Sequence, residues 1–97
     1  MPKAYVIFTE AVHDPDGMRA YEQASTPPLL EAGARVLAVD PGQPLEGDWH
    51  GDRTVLLEFD SVEAARAWYD SDAYRAAMPL RHAAATSNAV ILTGFGT

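Results

Sequence analysis

Glu58 and Arg81 are the residues whose type and setting point most directly to chemistry. Glu58 sits in the apolar run Val55-Leu56-Leu57-Glu58-Phe59. A carboxylate held there loses hydration, so its pKa rises and it is poised as an acid or base. The other outcome for Glu58 is a strand-end position paired with an arginine at a sheet or dimer seam. Arg81 follows Tyr74 and Met78 at helical steps, on the aromatic side of its segment. Its planar fork of donors suits a carboxylate or an enolate oxygen, or a structural ion pair. His82 comes next and could titrate beside it, or stand on the surface. Glu58 and His82 are thus the candidate catalytic groups.

Four further residues could shape a pocket around them. Trp68 and Tyr74 lie at helical spacing and would serve as its walls, although the same spacing suits core packing. Arg53 closes a glycine-containing loop and could form a pocket mouth or tie the loop down. Trp49 lies in that loop between Gly47 and Gly51, where it must cover the partner subunit, the sheet or a ligand. With Arg81, these residues could enclose a small organic anion.

Composition removes several function classes. The 97 residues carry seven basic and fourteen acidic side chains, a net charge of −7. That balance disfavours nucleic acid and anionic membrane as partners, since both need a cationic footprint. With no cysteine in the chain, thiol catalysis, disulfides and thiolate metal sites are excluded. Asp48-x-His50-x-Asp52 could align three ligands in an extended loop, but without helical His pairing it is a weak metal signal, and no metal is expected. Phosphate-cradling and nucleophile-elbow glycine motifs are missing, so no cofactor is required. The five-residue apolar run from Ala4 to Phe8 is too short for a signal or membrane segment, which makes a cytoplasmic protein the expectation.

The elements that would position these residues read in the order β-α-β-β-α-β over one domain, residues 1–97. Ala4–Thr9, Arg35–Val39, Arg53–Phe59 and Ala89–Thr93 read as strands. Asp14-Pro15 starts the first helix, Pro27-Pro28 interrupts it, and Gly33 ends it. Ser61 caps a helix through Trp68-Tyr69, and Ser71 caps a second piece that Pro79 should kink or end. Leu45-Glu46 could add a short strand, and Ser87-Asn88 reads as a turn. This order predicts an α+β, ferredoxin-like fold with a four-stranded antiparallel sheet and its helices on one face. The first and third strands, apolar on both sides, would be central. The bare face would then be covered by a second copy, giving a homodimer.

Glu46-Gly47-Asp48-Trp49, Arg53, Glu58-Phe59-x-Ser61 and Ala65-x-x-Trp68-Tyr69-x-Ser71-x-x-Tyr74, followed by Arg81, resemble the DUF1330 family. Asp14-Pro15 and Tyr21 fit it as well, so the resemblance covers nearly the whole chain. It implies a dimeric α/β-barrel in which two ferredoxin-like sheets pack face to face. The family carries no generally established activity, so the resemblance transfers no catalytic residues. The chain departs from the family pattern at Gly33-Ala34, where a Gly-Gly pair is common, and at Asp40-Pro41-Gly42, where glycines often follow the strand. Two functions fit this reading. One is a cofactor-free enzyme performing proton transfer, cyclisation or oxygenation on a small carbonyl or aromatic metabolite. The other is a non-catalytic ligand-binding or accessory dimer.

Overall fold

The structure is a computed structural model that describes residues 2–96. It contains β1 (Ala4–Val12), α1 (Pro15–Glu31), β2 (Arg35–Asp40), β3 (Arg53–Phe59), α2 (Val62–Tyr69), α3 (Asp72–Ala84) and β4 (Ala85–Thr93). All three helix starts are made by the side chains that the sequence offers. Asp14 accepts from the Gly17 amide at 3.1 Å, Ser61 from Ala64 at 3.0 Å and Ser71 from Tyr74 at 3.2 Å. Each satisfies a donor that the first helical turn leaves free.

Proline does not break the helices where the sequence suggests it would. Helix α1 runs through Pro27 and Pro28, and α3 runs through Pro79. The carbonyls deprived of a donor belong to Gln23, Ala24 and Arg75, all exposed residues, where solvent can stand in for the missing amides. Strand β4 begins at Ala85, and Ser87-Asn88 lies within it rather than in a turn. Its pairing with the far end of β1, Val12 opposite Ala85, supplies the ladder that holds it extended. Leu45-Glu46 forms no strand.

The strands form one antiparallel sheet in the order β2-β3-β1-β4, so β1 and β3 are central. Alternation along β1 buries Ala4, Val6, Phe8 and Glu10 and leaves Tyr5, Ile7 and Thr9 half-buried. The buried set packs with Leu57 and Phe59 of β3 against Met18, Tyr21, Ala65, Trp68, Tyr74 and Ala77 of the helices. The helices therefore cover one face. On the opposite face Val90 and Leu92 of β4 remain exposed. Edge strand β2 is exposed along its length and shifts register between Val36 and Ala38.

Trp68 is the centre of the aromatic packing. Its ring lies 4.3 Å from Tyr74, 5.2 Å from Phe59, 6.0 Å from Tyr69 and 6.3 Å from Phe8, centroid to centroid. Truncating it removes contacts that link α2 and α3 to both central strands. Trp68→Ala should destabilise the chain by about 3–5 kcal/mol in a urea titration, the usual cost of deleting a buried aromatic. A loss under about 1 kcal/mol would mean that the ring supports little of the core.

Candidate functional site

A cavity of about 180 Å³ lies between α1 and the β2-β3 side of the sheet. Phe8, Leu29, Val39, Leu57 and Trp68 give it apolar walls, and Glu10, Arg53 and Glu22 contribute charge. Mostly apolar cavities with a few convergent polar groups are the usual form of a ligand site, and this one is smaller than their usual range of about 300–1,000 Å³.

Glu10 is the deepest of these charges, with only 2% of its surface exposed. It reaches the helix-covered face because β1 continues past Thr9, placing Glu10 two residues beyond Phe8 on the buried side. Arg53 is its direct cross-strand partner on β3, and Nε of Arg53 donates to Oε1 of Glu10 at 2.9 Å. Arg53 also donates from Nη1 to Oε1 of Glu22 on α1 at 3.3 Å. Burial pushes the Glu10 pKa above the ordinary carboxylate value, while the guanidinium charges of Arg53 and Arg81 pull it partly back. A carboxylate so placed is a candidate proton acceptor.

The loop before β3 fixes the end of β1 that carries Glu10. The Asp52 amide donates to the Glu10 carbonyl at 2.9 Å, and the Val12 amide donates to Oδ1 of Asp52 at 3.0 Å. Gly51 has φ +80°, and a Cβ on it would stand 2.1 Å from the Glu10 carbonyl oxygen. Glycine is required there both by the left-handed backbone and by the close approach.

A second polar group lies behind the cavity wall. Tyr21 lines the cavity, and its hydroxyl is 2.8 Å from that of Tyr74. Burial raises the Tyr21 pKa first, and the neighbouring Tyr74 raises it further, so the Tyr21 hydroxyl stays protonated at neutral pH. Arg81 is buried next to them, with its guanidinium carbon 4.9 Å from the Phe8 ring centre and 5.8 Å from that of Tyr21. Its Nε has no hydrogen-bond partner among the described residues, and neither does Nε1 of Trp68.

The residues singled out in the sequence are divided by this geometry. Arg53 and Trp68 line the cavity, and Tyr74 and Arg81 stand behind Tyr21. Glu58 lies elsewhere: its cross-strand partner is Tyr5, on the face that the helices leave uncovered, and Arg35 pairs with it through Nε. The hydrogen bond from Arg35 is the main reason that the Glu58 pKa is lowered, so the expected upward shift is reversed. His82 is exposed on α3. Trp49 is half-exposed, donates to Oγ1 of Thr54 at 2.8 Å, and lines a separate groove with Ala38 and Leu45. This cavity opens beside α1, and a second, wider hollow lined by Val6, Trp68, Tyr69 and Ile91 lies between the sheet and α2. Among the described residues no group of three His, Asp or Glu side chains is arranged to hold a metal ion. His50 instead contacts the Thr86 carbonyl at 2.9 Å, and Asp52 is engaged with Val12. Glu10 and Glu22 escaped the sequence reading. The alternation Ala4, Val6, Phe8, Glu10 was the available signal for Glu10, once β1 is extended beyond Thr9.

Gly51→Ala and Gly47→Ala separate the close approach from backbone strain. Gly47 has φ +71°, and nothing lies within 4 Å of the place an added methyl group would take. Alanine there should cost only the left-handed strain, about 1–2 kcal/mol. Gly51→Ala should cost distinctly more in parallel urea titrations, because the Glu10 carbonyl must also move. Equal losses would show that the loop does not press on β1.

Known proteins place this architecture among ferredoxin-like folds. The RPA0582 protein of unknown function from Rhodopseudomonas palustris superposes with a TM-score of 0.77 at 22% identity, covering 99% of this chain and 85% of that one. SnoaB, a cofactor-independent oxygenase from Streptomyces nogalater, gives 0.72 at 13% identity, covering 100% and 97%. A dimeric ferredoxin-like protein of unknown function from Thermobifida fusca gives 0.61 at 19% identity, covering 95% and 91%. At these identities the likeness concerns the fold. Protein YciI of Escherichia coli is 46% identical over 54 residues, 56% of this chain and 53% of YciI, so the match spans about half the length of that relative. The sequence model of the family described as a domain of unknown function, DUF1330, matches residues 3–95, and the chain belongs to that family.

Proposed function

We propose that the chain binds a small carbonyl-bearing or aromatic metabolite in the cavity beside α1 and moves a proton on it, with Glu10 as the base and no cofactor. The observation that carries this reading is a buried carboxylate of raised pKa lining an apolar cavity, next to the guanidinium of Arg53. In such a step Glu10 takes a proton from the carbon beside a carbonyl. The C–H electron pair passes into an enolate, whose oxygen receives a hydrogen bond from Arg53. Returning the proton to another atom completes an isomerisation. The cofactor-independent oxygenase among the structural neighbours supports such chemistry only by analogy of fold.

A base of this kind has a pH signature independent of any substrate. A carboxyl whose pKa is raised on folding contributes stability that is fully present below its unfolded pKa and lost as pH rises through the folded value. Urea midpoints of the parent and of Glu10→Gln should therefore diverge from about pH 4 upward, with the parent losing ground as pH rises. The opposite slope would mean a carboxylate stabilised by its arginines, not a base. A screen of carbonyl compounds for proton exchange, read by NMR in deuterated water, then tests the activity. Turnover by the parent and none by Glu10→Gln is the expected result. Binding with no exchange in either protein would leave a ligand-binding dimer.

The working form in this proposal is a homodimer that joins the bare sheet faces. Ile7, Leu56, Val90 and Leu92 belong to the strands that would meet there, and the Thermobifida fusca relative of the same fold is dimeric. Light scattering at micromolar concentration should give twice the 10.5 kDa chain mass. A folded species of single-chain mass would overturn the dimer.

A further inference from the structure

We infer that the cavity takes a small organic carboxylate, whose anionic group replaces Glu22 on Arg53. This rests on the reading above that the cavity is a ligand site. Arg53 holds two carboxylates that differ sharply in how firmly they are placed. Glu10 is 2% exposed, lies on a central strand and is 2.9 Å from Nε. The Glu22 side chain is 44% exposed, projects from α1 and is 3.3 Å from Nη1. Removing Glu10 from the arginine would strand a charge in the core. Releasing Glu22 returns to water a group already partly in it, and a pair so open on one side is weaker than a buried one. Glu22 is therefore the exchangeable ligand of the guanidinium.

Charge and volume narrow the class. Glu10 and Glu22 balance Arg53 and Arg81, the two arginines whose charges act on Glu10. With Glu22 swung out, one positive charge is left over, which a monoanion neutralises. A carboxylate also fits the parallel donors of a guanidinium better than a single-point anion does. The cavity holds about 180 Å³. An apolar cavity of about 150 Å³ accommodates one benzene ring, so the ligand has a single ring, or a branched chain of that size, with a short arm to the carboxylate.

Phenylacetate and its neutral isostere phenylacetamide are suitable probes, titrated into the full chain and followed by tryptophan fluorescence and NMR shifts. Phenylacetate should bind the parent more tightly than the amide. Glu22→Gln, an isosteric change at a half-buried helix position, should leave circular dichroism unchanged. It should tighten phenylacetate about two- to fivefold, the range that losing a competing weak ion pair allows, and leave the amide unaffected. Leu29→Trp, which fills the cavity, should abolish binding of both. Binding of the amide as tightly as the acid, or no tightening by Glu22→Gln, overturns the exchange while leaving the cavity as a site. Failure of both probes to bind, or binding that survives Leu29→Trp, overturns the cavity reading and the exchange with it.

Discussion

The pairing of Glu10 with Arg53 is the constraint around which the helix-covered face is arranged. A carboxylate at the buried position of a central strand has almost no water, and its charge is tolerable only with a cation at hand. The antiparallel register supplies one directly opposite, on the neighbouring central strand. The loop that leads into β3 must then pass close over the end of β1, and Gly51 is the residue that permits it. Arg53 in turn reaches Glu22 and so ties the sheet to α1 beside the cavity. One ion pair thus links a strand register, a loop conformation and a helix position.

The two faces of the sheet use charge differently. On the uncovered side Arg35 bridges Glu58 and Asp60, and Lys3 also approaches Asp60. The Arg35 and Asp60 side chains are largely open to water, so these pairs add little stability, although the hydrogen bonds from Arg35 hold both carboxyls below their ordinary pKa. On the covered side the charges are few, enclosed and close to aromatic rings. Desolvation dominates there, and it shifts Glu10 in the opposite direction from Glu58. Two glutamates in central strands of one small domain therefore have opposite acid–base character, decided by which face each side chain meets.

Trp68 joins the packing to the site. The same ring that contacts aromatic side chains of β1, β3, α2 and α3 also forms part of the cavity wall. Its indole nitrogen and the Arg81 Nε are both buried without a hydrogen-bond partner among the described residues. Buried donors are seldom left unpaired.

The sequence by itself determined the element order, the capping residues and the centrality of β1 and β3. These follow from local chemistry: Asp14, Ser61 and Ser71 can each satisfy free helical amides, and the two-sided apolarity of two strands demands cover on both sides. The family resemblance was legible for the same reason, since its motifs are runs of near neighbours. The continuity of α1 and α3 through proline was not legible, because it depends on which carbonyls face water. The candidate site depends on tertiary structure alone. Glu58 looked like the buried acid because its neighbours in sequence are apolar, yet its side chain points to the open face, where Arg35 waits, 23 positions earlier in the chain. Glu10 lay at the end of a strand read as stopping at Thr9, and its partner Arg53 is 43 residues away. A pKa is set by burial and by charges brought close in space, and neither is a property of neighbours along the chain.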